Sequence, residues 1–352
     1  MSFWERSQQN TALDRLKEID YKALRLMLER SVGPELLKKK HLTKFDRAWK
    51  RGQLCYAKEE TDLQKWMRCE ARFVLGDYTD WSGWQYRDRW AEKTWFRNPF
   101  HVPVWKGDRV DTLYIIGEQG IGDEVLMSQC VLDAKQRVNH VIFETQDRLC
   151  PIFERCLGVE TRKAIVGADT IRRAQPFEAD AWVSLGELPR IYRRENRDFP
   201  RTPYIFPDPS RVAEMEQYRG RVGASWRGAQ GKIDWRKVKE KYPNCISLQY
   251  DQAEEDVARP HIDLRQDLEG IIALCSVLDK VVSVSTTAAH MAAASGIPLD
   301  ITLAPMHTGI RNNILPWRWL DLSCKAIPRK AKWYGDHVKV YQNWGEYVSW
   351  VR

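Results

Sequence analysis

Glycines and one aspartate follow a short apolar segment in the first half of the chain, in the order GEQGIGD at residues 117–123. The apolar residues before them, 112–116, are typical of a buried strand, and the residues after them have the spacing of an amphipathic helix. Glycines in such a loop let a ligand approach the backbone closely. Asp123, at the start of the predicted helix, is therefore a candidate general base, with helix N-cap as the alternative role.

A second predicted strand-to-helix turn carries hydroxyl and small side chains, in the segment STTAAHMAAASGIP at residues 285–298. A strand-like apolar segment, 280–284, precedes it, and the closing Gly and Pro are a helix stop signal. The three hydroxyl residues fall where the free N–H groups of a helix start need acceptors. Such a helix start suits a pyrophosphate, and an ordinary Ser/Thr cap on a tightly packed helix is the alternative.

The second half of the chain also contains a glycine-rich loop with one lysine, WRGAQGKID at residues 226–234. Lys232 in this loop suits a phosphate as a point charge. The loop lacks the Walker pattern, and the glycines of 117–123 lack the dinucleotide-binding order, which argues against a P-loop nucleotidase and a nicotinamide dehydrogenase. Gln249 ends another predicted strand. Its side-chain amide either extends into a ligand crevice or, as the alternative, is buried and hydrogen-bonds only to loop backbone.

Strand-like and helical segments alternate from residue 111 onward, which predicts parallel sheets of the doubly wound kind. The predicted strands are 112–116, 140–144 and 181–185 in a first series, and 221–226, 245–249, 280–284 and 299–303 in a second. We therefore expect an α/β fold in which a domain at 105–215 and a domain at 216–352 face each other across a cleft. The earlier residues, 1–104, are predicted to form a helical region.

The charge balance favours anionic partners, because 56 Lys and Arg residues against 48 Asp and Glu give a net charge of +8 over 352 residues. A basic run at 38–51 is either a solvated helix face or a surface that contacts a polyanion. The cysteines form no CxxC pair, which makes a zinc knuckle improbable on sequence grounds. There is no signal-peptide pattern and no apolar run of the roughly 20 residues that a membrane helix needs, so we expect a soluble, cytoplasmic protein with free thiols and no membrane span.

The segment 117–123 resembles the E-Q-G-x-G-D motif of bacterial glycosyltransferases with tetratricopeptide repeats. Those enzymes are related to the heptosyltransferases of lipopolysaccharide synthesis and, more distantly, to O-GlcNAc transferase. Further stretches fit the family in the same order: 184–189, 222–228, 247–249, 285–298, 317–320 and 333–342. Two features depart from it, since Ser285 stands where the family often has Asp and no full repeat array precedes the catalytic part.

The resemblance implies a GT-B fold, with two Rossmann-like domains and the sugar nucleotide held mainly by the C-terminal one. Carried over by position, Asp123 would be the catalytic base. The nucleotide sugar would be held by Gly120, Gly122, Trp226, Gly228, Lys232, Gln249, Ser285, Thr286, Thr287 and His290.

These observations together predict an inverting glycosyltransferase that moves a sugar from a nucleoside-diphosphate sugar to a hydroxyl of a macromolecular acceptor. The acceptor would be a glycan, a protein or a hydroxymethylated base of DNA. No D-x-D pair occurs in the chain, so we expect neither a catalytic metal nor another cofactor. The alternative is a non-catalytic module on the same scaffold that binds a nucleotide sugar or a glycan.

Overall fold

The structure is a computed structural model that carries side chains. It describes residues 78, 81, 102–118, 120–166, 172–173, 177–228, 231–251, 256–302, 333–341 and 347–349.

The strands within these residues are β1 (Val110–Ile116), β2 (Val138–Thr145), β3 (Glu160–Lys163), β4 (Ile165–Val166), β5 (Arg172–Arg173), β6 (Ala181–Ser184), β7 (Val222–Ser225), β8 (Arg227–Gly228), β9 (Gly231–Lys232), β10 (Ile246–Ser247), β11 (Lys280–Ser283), β12 (Leu299–Thr302) and β13 (Val338–Tyr341). The helices are α1 (Ile121–Ala134), α2 (Cys150–Leu157), α3 (Leu188–Tyr192), α4 (Pro209–Met215), α5 (Trp235–Lys241), α6 (Leu268–Val277) and α7 (Thr287–Ala294).

The first sheet has the strand order β3-β2-β1-β6, and each neighbouring pair is parallel. Its two central strands are apolar and buried over most of their length, as expected where helices cover both faces of a parallel sheet. The chain moves outward from β1 to β3 and then returns to the other side of β1. This reversal places the switch point between β1 and β6, where doubly wound sheets bind ligands at the carboxyl ends of their strands.

The second sheet has the strand order β10-β7-β11-β12-β13 and is also parallel throughout. Its switch point lies between β7 and β11, so the loops after these two strands share one edge of the sheet. One side of the sheet covers a hydrophobic cluster that includes Trp226 and Val284. The two loops of interest therefore begin from residues that are fixed in the core.

The predicted α/β class is confirmed, and all of the predicted strands are present with ends that differ only slightly. The sequence analysis missed β3 and β13, which are edge strands, and the short antiparallel hairpins β4–β5 and β8–β9. Edge strands have one exposed side, so their side chains lack the continuous apolar pattern that made the central strands recognisable.

The chain divides into two compact units, and both sheets belong to the one formed by residues 91–192, 199–307 and 330–352. In the other unit the structure describes Tyr78, Trp81 and residues 193–198. There the indole N–H of Trp81 donates to the carbonyl oxygen of Arg193 at 3.0 Å, and the rings of Tyr78 and Trp81 stack.

Several predictions fall on residues outside the described part of the chain. These are most of the helical region 1–104, the basic run 38–51 and the motif at 317–320. The proposed boundaries after residues 104 and 215 stay predictions.

Candidate functional site

The loop after β1 lies at the switch point of the first sheet and is fixed there by a buried carboxylate. The side chain of Glu118 is buried and accepts a hydrogen bond from Oγ of Ser184 at 2.7 Å and another from the backbone N–H of Gly186. Ser184 ends β6, and Gly186 follows it. Glu118 thus joins the two loops that flank the switch point and determines how the backbone leaves β1.

Helix α1 begins directly after this loop, and its first turn presents Asp123. Gly120 occupies the N-cap position, and its carbonyl oxygen accepts from the N–H groups of Asp123 and Glu124 at 3.0 Å each. Asp123 is therefore the third residue of the helix and half-buried, so its alternative role as the N-cap residue is wrong. A carboxylate in the first helical turn is stabilised by the positive end of the helix dipole.

Helix α7 begins after β11, at the switch point of the second sheet. Thr286 is its N-cap, and Oγ1 of this residue accepts from the N–H of Ala289 at 3.3 Å. The predicted Ser/Thr cap is therefore present, with Ser285 and Thr287 half-buried on either side of it. The buried face of α7 consists almost entirely of alanines, which allows close packing of neighbouring backbone.

The hairpin β8–β9 lies against this helix start. A methyl group at position 228 would lie only 2.6 Å from the backbone oxygen of Ser285, so the contact requires a glycine. Lys232 pairs with Arg227 across the hairpin and its side chain is exposed. The structure therefore places Gly228 against the loop that contains Ser285 and Thr286, and the phosphate role of Lys232 stays a prediction.

Two of the predicted binding residues lie below the surface of this site. The amide oxygen of Gln249 accepts from the backbone N–H of Arg227 at 2.9 Å and from Oγ of Ser225 at 3.2 Å, and its amide nitrogen donates to Asp251. Gln249 is thus buried and fits the alternative of a loop-supporting amide. Trp226 is buried in the hydrophobic cluster and positions the hairpin from beneath.

The starts of α1 and α7 meet at Gly122 and His290. A methyl group at position 122 would lie 2.5 Å from Cδ2 and 3.1 Å from Nε2 of His290, so only a glycine permits this approach. The other ring nitrogen, Nδ1, is 2.7 Å from the hydroxyl oxygen of Tyr334. Because free N–H groups and positive dipole ends of two helices converge here, the site favours a bound anion.

Sequence analysis did not assign a role to two tyrosines next to this contact. Tyr334 follows Trp333 in one of the family-like stretches, whereas Tyr204 lies in the connection before α4 and has no motif around it. Burial raises the pKa of Tyr334 well above its ordinary value, and Tyr204 and the charge of Asp123 raise it further. Tyr334 is therefore a neutral hydrogen-bonding group close to both Asp123 and His290.

Within the described ranges, no group of three or more His, Cys, Asp or Glu side chains is arranged to hold a metal ion. The same part of the chain contains no helix that is long and apolar enough to cross a membrane. The chemistry available at the site is thus that of a half-buried carboxylate, an imidazole, hydroxyl groups, helix N-termini and one exposed ammonium group.

No protein-family profile matches the chain. A curated relative is Protein FlbA from Caulobacter vibrioides, 25% identical over 325 residues. The alignment covers 78% of this chain and 54% of FlbA, so the chain spans about half the length of this relative.

Three solved structures that match part of the chain are glycosyltransferases by their descriptions. The ADP-heptose lipopolysaccharide heptosyltransferase II of E. coli has a TM-score of 0.41 at 11% identity, over 65% of this chain and 90% of its own. A family 9 glycosyl transferase from Veillonella parvula has a TM-score of 0.44 at 7% identity, over 70% and 89%. The iron-containing dodecameric glycosyltransferase TibC from enterotoxigenic E. coli has a TM-score of 0.38 at 9% identity, over 56% and 59%.

Each of these TM-scores is below 0.5, so the relationship to heptosyltransferases also stays a prediction from the motifs. The relationship to tetratricopeptide-repeat enzymes and to O-GlcNAc transferase stays a prediction from the motifs. The chain is thus similar to part of FlbA.

Proposed function

We propose that this chain is a glycosyltransferase that takes a sugar from a nucleoside-diphosphate sugar and transfers it to a hydroxyl group of a macromolecular acceptor. The observation that carries the proposal is the meeting of two helix starts at Gly122 and His290, each at the switch point of a parallel sheet. A diphosphate is an anion of suitable size for such a site. The motifs at 117–123 and 285–298 support the same assignment.

Departure of a nucleoside diphosphate places negative charge on the phosphate oxygens in the transition state. The start of α7, with Thr286 at its cap, supplies fixed dipoles for that charge, and Lys232 supplies a mobile cation. Fixed dipoles directed at developing charge are commonly the largest single contribution to catalysis. This part of the site would therefore stabilise the leaving group.

Asp123 is the group proposed to accept the proton of the acceptor. The acceptor oxygen attacks the anomeric carbon from the side opposite the diphosphate, its proton passes to Asp123, and the bond between carbon and phosphate oxygen breaks. The configuration at carbon inverts because attack and departure occur on opposite faces. Asp123 suits this role because it is half-buried, begins the helix that faces the anion site and lies beside glycines that leave room for a substrate.

The test is turnover of the variant Asp123→Asn with a panel of nucleoside-diphosphate sugars, measured as nucleoside diphosphate released. Asn keeps the shape of the side chain but cannot take a proton, so we expect a stable variant that binds donor and turns over roughly 10²–10⁴-fold more slowly. The matched control is Asp208→Asn, because Asp208 caps α4 by accepting from the N–H of Ser210 at 2.8 Å and lies outside the site. The control should turn over like the wild type.

Wild-type turnover in Asp123→Asn would refute the base assignment, and His290 or Glu124 would be tested next. Donor binding without transfer or hydrolysis, for every sugar in the panel, would instead support the non-catalytic binding module. The acceptor is proposed only as a hydroxyl of a glycan, a protein or a modified DNA base. Assays with the donor identified in the panel and each acceptor class distinguish these.

A further inference from the structure

One aromatic side chain at the carboxyl edge of the second sheet is exposed although the backbone around it is firmly held. Tyr250 lies in the loop after β10, and it is 55% exposed, more than any other large apolar side chain among the described residues. The residue before it, Gln249, is buried and bonded to the backbone of Arg227. The residue after it, Asp251, accepts from the amide of Gln249 at 2.5 Å and lies 3.3 Å from the guanidinium of Arg227. The exposed ring thus projects from a fixed point.

The ring of Tyr250 lies where a loop of the first sheet reaches the second sheet. The guanidinium carbon of Arg265 lies over this ring, 5.9 Å from its centroid, within the range of a cation–π contact. The carbonyl oxygen of Arg265 accepts a hydrogen bond from the guanidinium of Arg148. Arg148 belongs to the turn that follows β2 of the first sheet. Tyr250 is therefore close to the carboxyl edge of both sheets.

The two cations at this position have no carboxylate partner among the described residues. The guanidinium of Arg148 donates its other hydrogen bond to the amide oxygen of Gln146, at 3.4 Å, and that of Arg265 contacts only the ring. Burial and the charge of Arg265 lower the pKa of Arg148, and Asp263 acts in the opposite direction. Two like charges without a carboxylate between them favour an anion or an electron-rich ring as the next neighbour and disfavour a cationic ligand.

The strand order relates Tyr250 to the proposed diphosphate site. In the second sheet β7 lies between β10 and β11, so the loop with Tyr250 and the start of α7 are two strand spacings apart, about 10 Å. The hairpin β8–β9 and the residue that begins it contact both places, through Gly228 at Ser285 and through Arg227 at Asp251. A nucleotide whose diphosphate lies at the start of α7 would therefore reach Tyr250 with its other end, the base.

We propose that Tyr250 is the platform on which the base of the nucleoside-diphosphate donor stacks. The inference rests on the proposed function, because it needs the diphosphate at the start of α7. Arg265 covers one face of the ring, and the base takes the other. Every nucleobase has a π-face, so the platform distinguishes a nucleotide from a phosphate compound without a base. One such stack changes affinity by roughly 5- to 150-fold.

Calorimetry of the full chain with a panel of nucleoside diphosphates and with inorganic pyrophosphate tests the platform. The wild type should bind at least one nucleoside diphosphate more tightly than pyrophosphate, and equal affinities would overturn the proposal. In Tyr250→Ala the affinity for that nucleotide should fall roughly 5- to 150-fold, while the affinity for pyrophosphate stays the same. Tyr250→Phe should retain the affinity for the nucleotide, because stacking uses the ring and not the hydroxyl group.

The matched control is Phe206→Ala, which removes another exposed aromatic ring, 52% exposed, from the connection before α4. The backbone N–H of Phe206 contacts Cys156 near the end of α2, and neither affinity should change in this variant. The melting temperatures of all variants should equal that of the wild type, because the substituted side chains are exposed. A Tyr250→Ala variant that binds the nucleotide like the wild type, or that loses nucleotide and pyrophosphate equally, would overturn the platform.

A second measurement uses the wild type and needs no variant. A nucleoside diphosphate with a photoreactive azido group on its base is bound and irradiated, and the labelled peptide is identified by mass spectrometry. We expect the label in the tryptic peptide 242–265, which contains both Tyr250 and Arg265. Label found only in other peptides would overturn the platform.

The outcomes separate the platform from the proposed function. If neither a nucleoside diphosphate nor a nucleotide sugar binds the wild type, the proposed function fails and the platform fails with it. If nucleotide sugars bind and support transfer while Tyr250→Ala is unaffected, only the platform fails. A Tyr250→Ala variant in which the KM for the acceptor rises and the nucleotide affinity stays the same would overturn the platform and assign the ring to an acceptor sugar.

Discussion

Replacing Gly122 with alanine tests whether the starts of α1 and α7 touch as described. The added methyl group would lie 2.5 Å from Cδ2 of His290, 3.0 Å from Cγ and 3.1 Å from Nε2. Carbon atoms in contact are normally about 3.5–4.0 Å apart, so the overlap is about 1 Å. The imidazole cannot tilt by that amount without lengthening its 2.7 Å hydrogen bond to Tyr334.

Two opposing effects determine the stability of Gly122→Ala. Overpacking lowers the free energy of unfolding by about 1–3 kcal/mol, and alanine in place of glycine in a helix raises it by about 0.5–1 kcal/mol. The net expected loss in the free energy of unfolding is about 0–2.5 kcal/mol. Affinity for the nucleoside-diphosphate donor should fall about tenfold, because displacement of His290 would remove the contact with the diphosphate that is proposed for it.

The matched control for stability is Gly120→Ala in the same loop. Among the described residues, a methyl group there would meet only Oδ2 of Asp123, at the ordinary distance of 3.8 Å, and the backbone φ of −91° suits alanine. Unfolding in denaturant measures the stability of both variants. Calorimetry compares donor binding of Gly122→Ala with that of the wild type, because Gly120 is itself a candidate binding residue. If Gly122→Ala were more stable than the wild type and bound donor equally well, the contact between Gly122 and His290 would be refuted.

Three further substitutions test other parts of the site and the sheet. Lys232→Ala should weaken donor binding by titration calorimetry and leave the melting temperature unchanged, because the side chain is exposed; equal affinity for donor would remove Lys232 from the site. Glu118→Ala should cost about 1–3 kcal/mol by denaturant unfolding, since two buried donors lose their acceptor, and an unchanged midpoint would show that the carboxylate does not brace the loop. Lys280→Met should lower the free energy of unfolding in denaturant by about 1.5–3 kcal/mol, because the 2.7 Å ion pair with Asp300 is lost. The control Lys339→Met, at an exposed lysine, should leave the free energy of unfolding unchanged, and equal values for the two variants would contradict the contribution of the ion pair. Burial lowers the pKa of Lys280 but the bond to Asp300 raises it above its ordinary value, so this contribution is present at neutral pH and is lost only as alkaline pH deprotonates the lysine.

The central strands and both helix starts were predictable because local chemistry determines them. Buried strands of a parallel sheet are apolar on both faces, and the loops after β1 and β11 carry glycine or hydroxyl residues that only a helix start explains well. The sequence placed three hydroxyl residues at the start of α7, and the structure shows that Thr286 is the N-cap among them. The proposed roles of these residues nevertheless depend on which loops meet, and that information lies outside any single segment.

The contacts that the sequence did not predict join residues far apart in the chain. His290 and Tyr334 are hydrogen-bonded although many residues separate them, and Tyr204 enters from a connection without a motif. The burial of Gln249 could not be predicted either, because the sequence is the same whether an amide at the end of a strand contacts a ligand or the backbone of Arg227. The choice between these alternatives is made by tertiary packing.

The contribution of residues 333–341 has a consequence for synthesis of the protein on the ribosome. This segment supplies the edge strand β13 to the second sheet and places Tyr334 against His290. The other strands that the structure describes in both sheets precede this segment in the sequence. Domains generally fold from the N-terminal side as the chain emerges, so these strands are available to fold first. A nascent chain that ends before Trp333 would therefore hold two nearly complete sheets and an imidazole without its tyrosine partner. Completion of the site is in this sense a late event, and a chain released early would lack the ordered site while retaining most of its core.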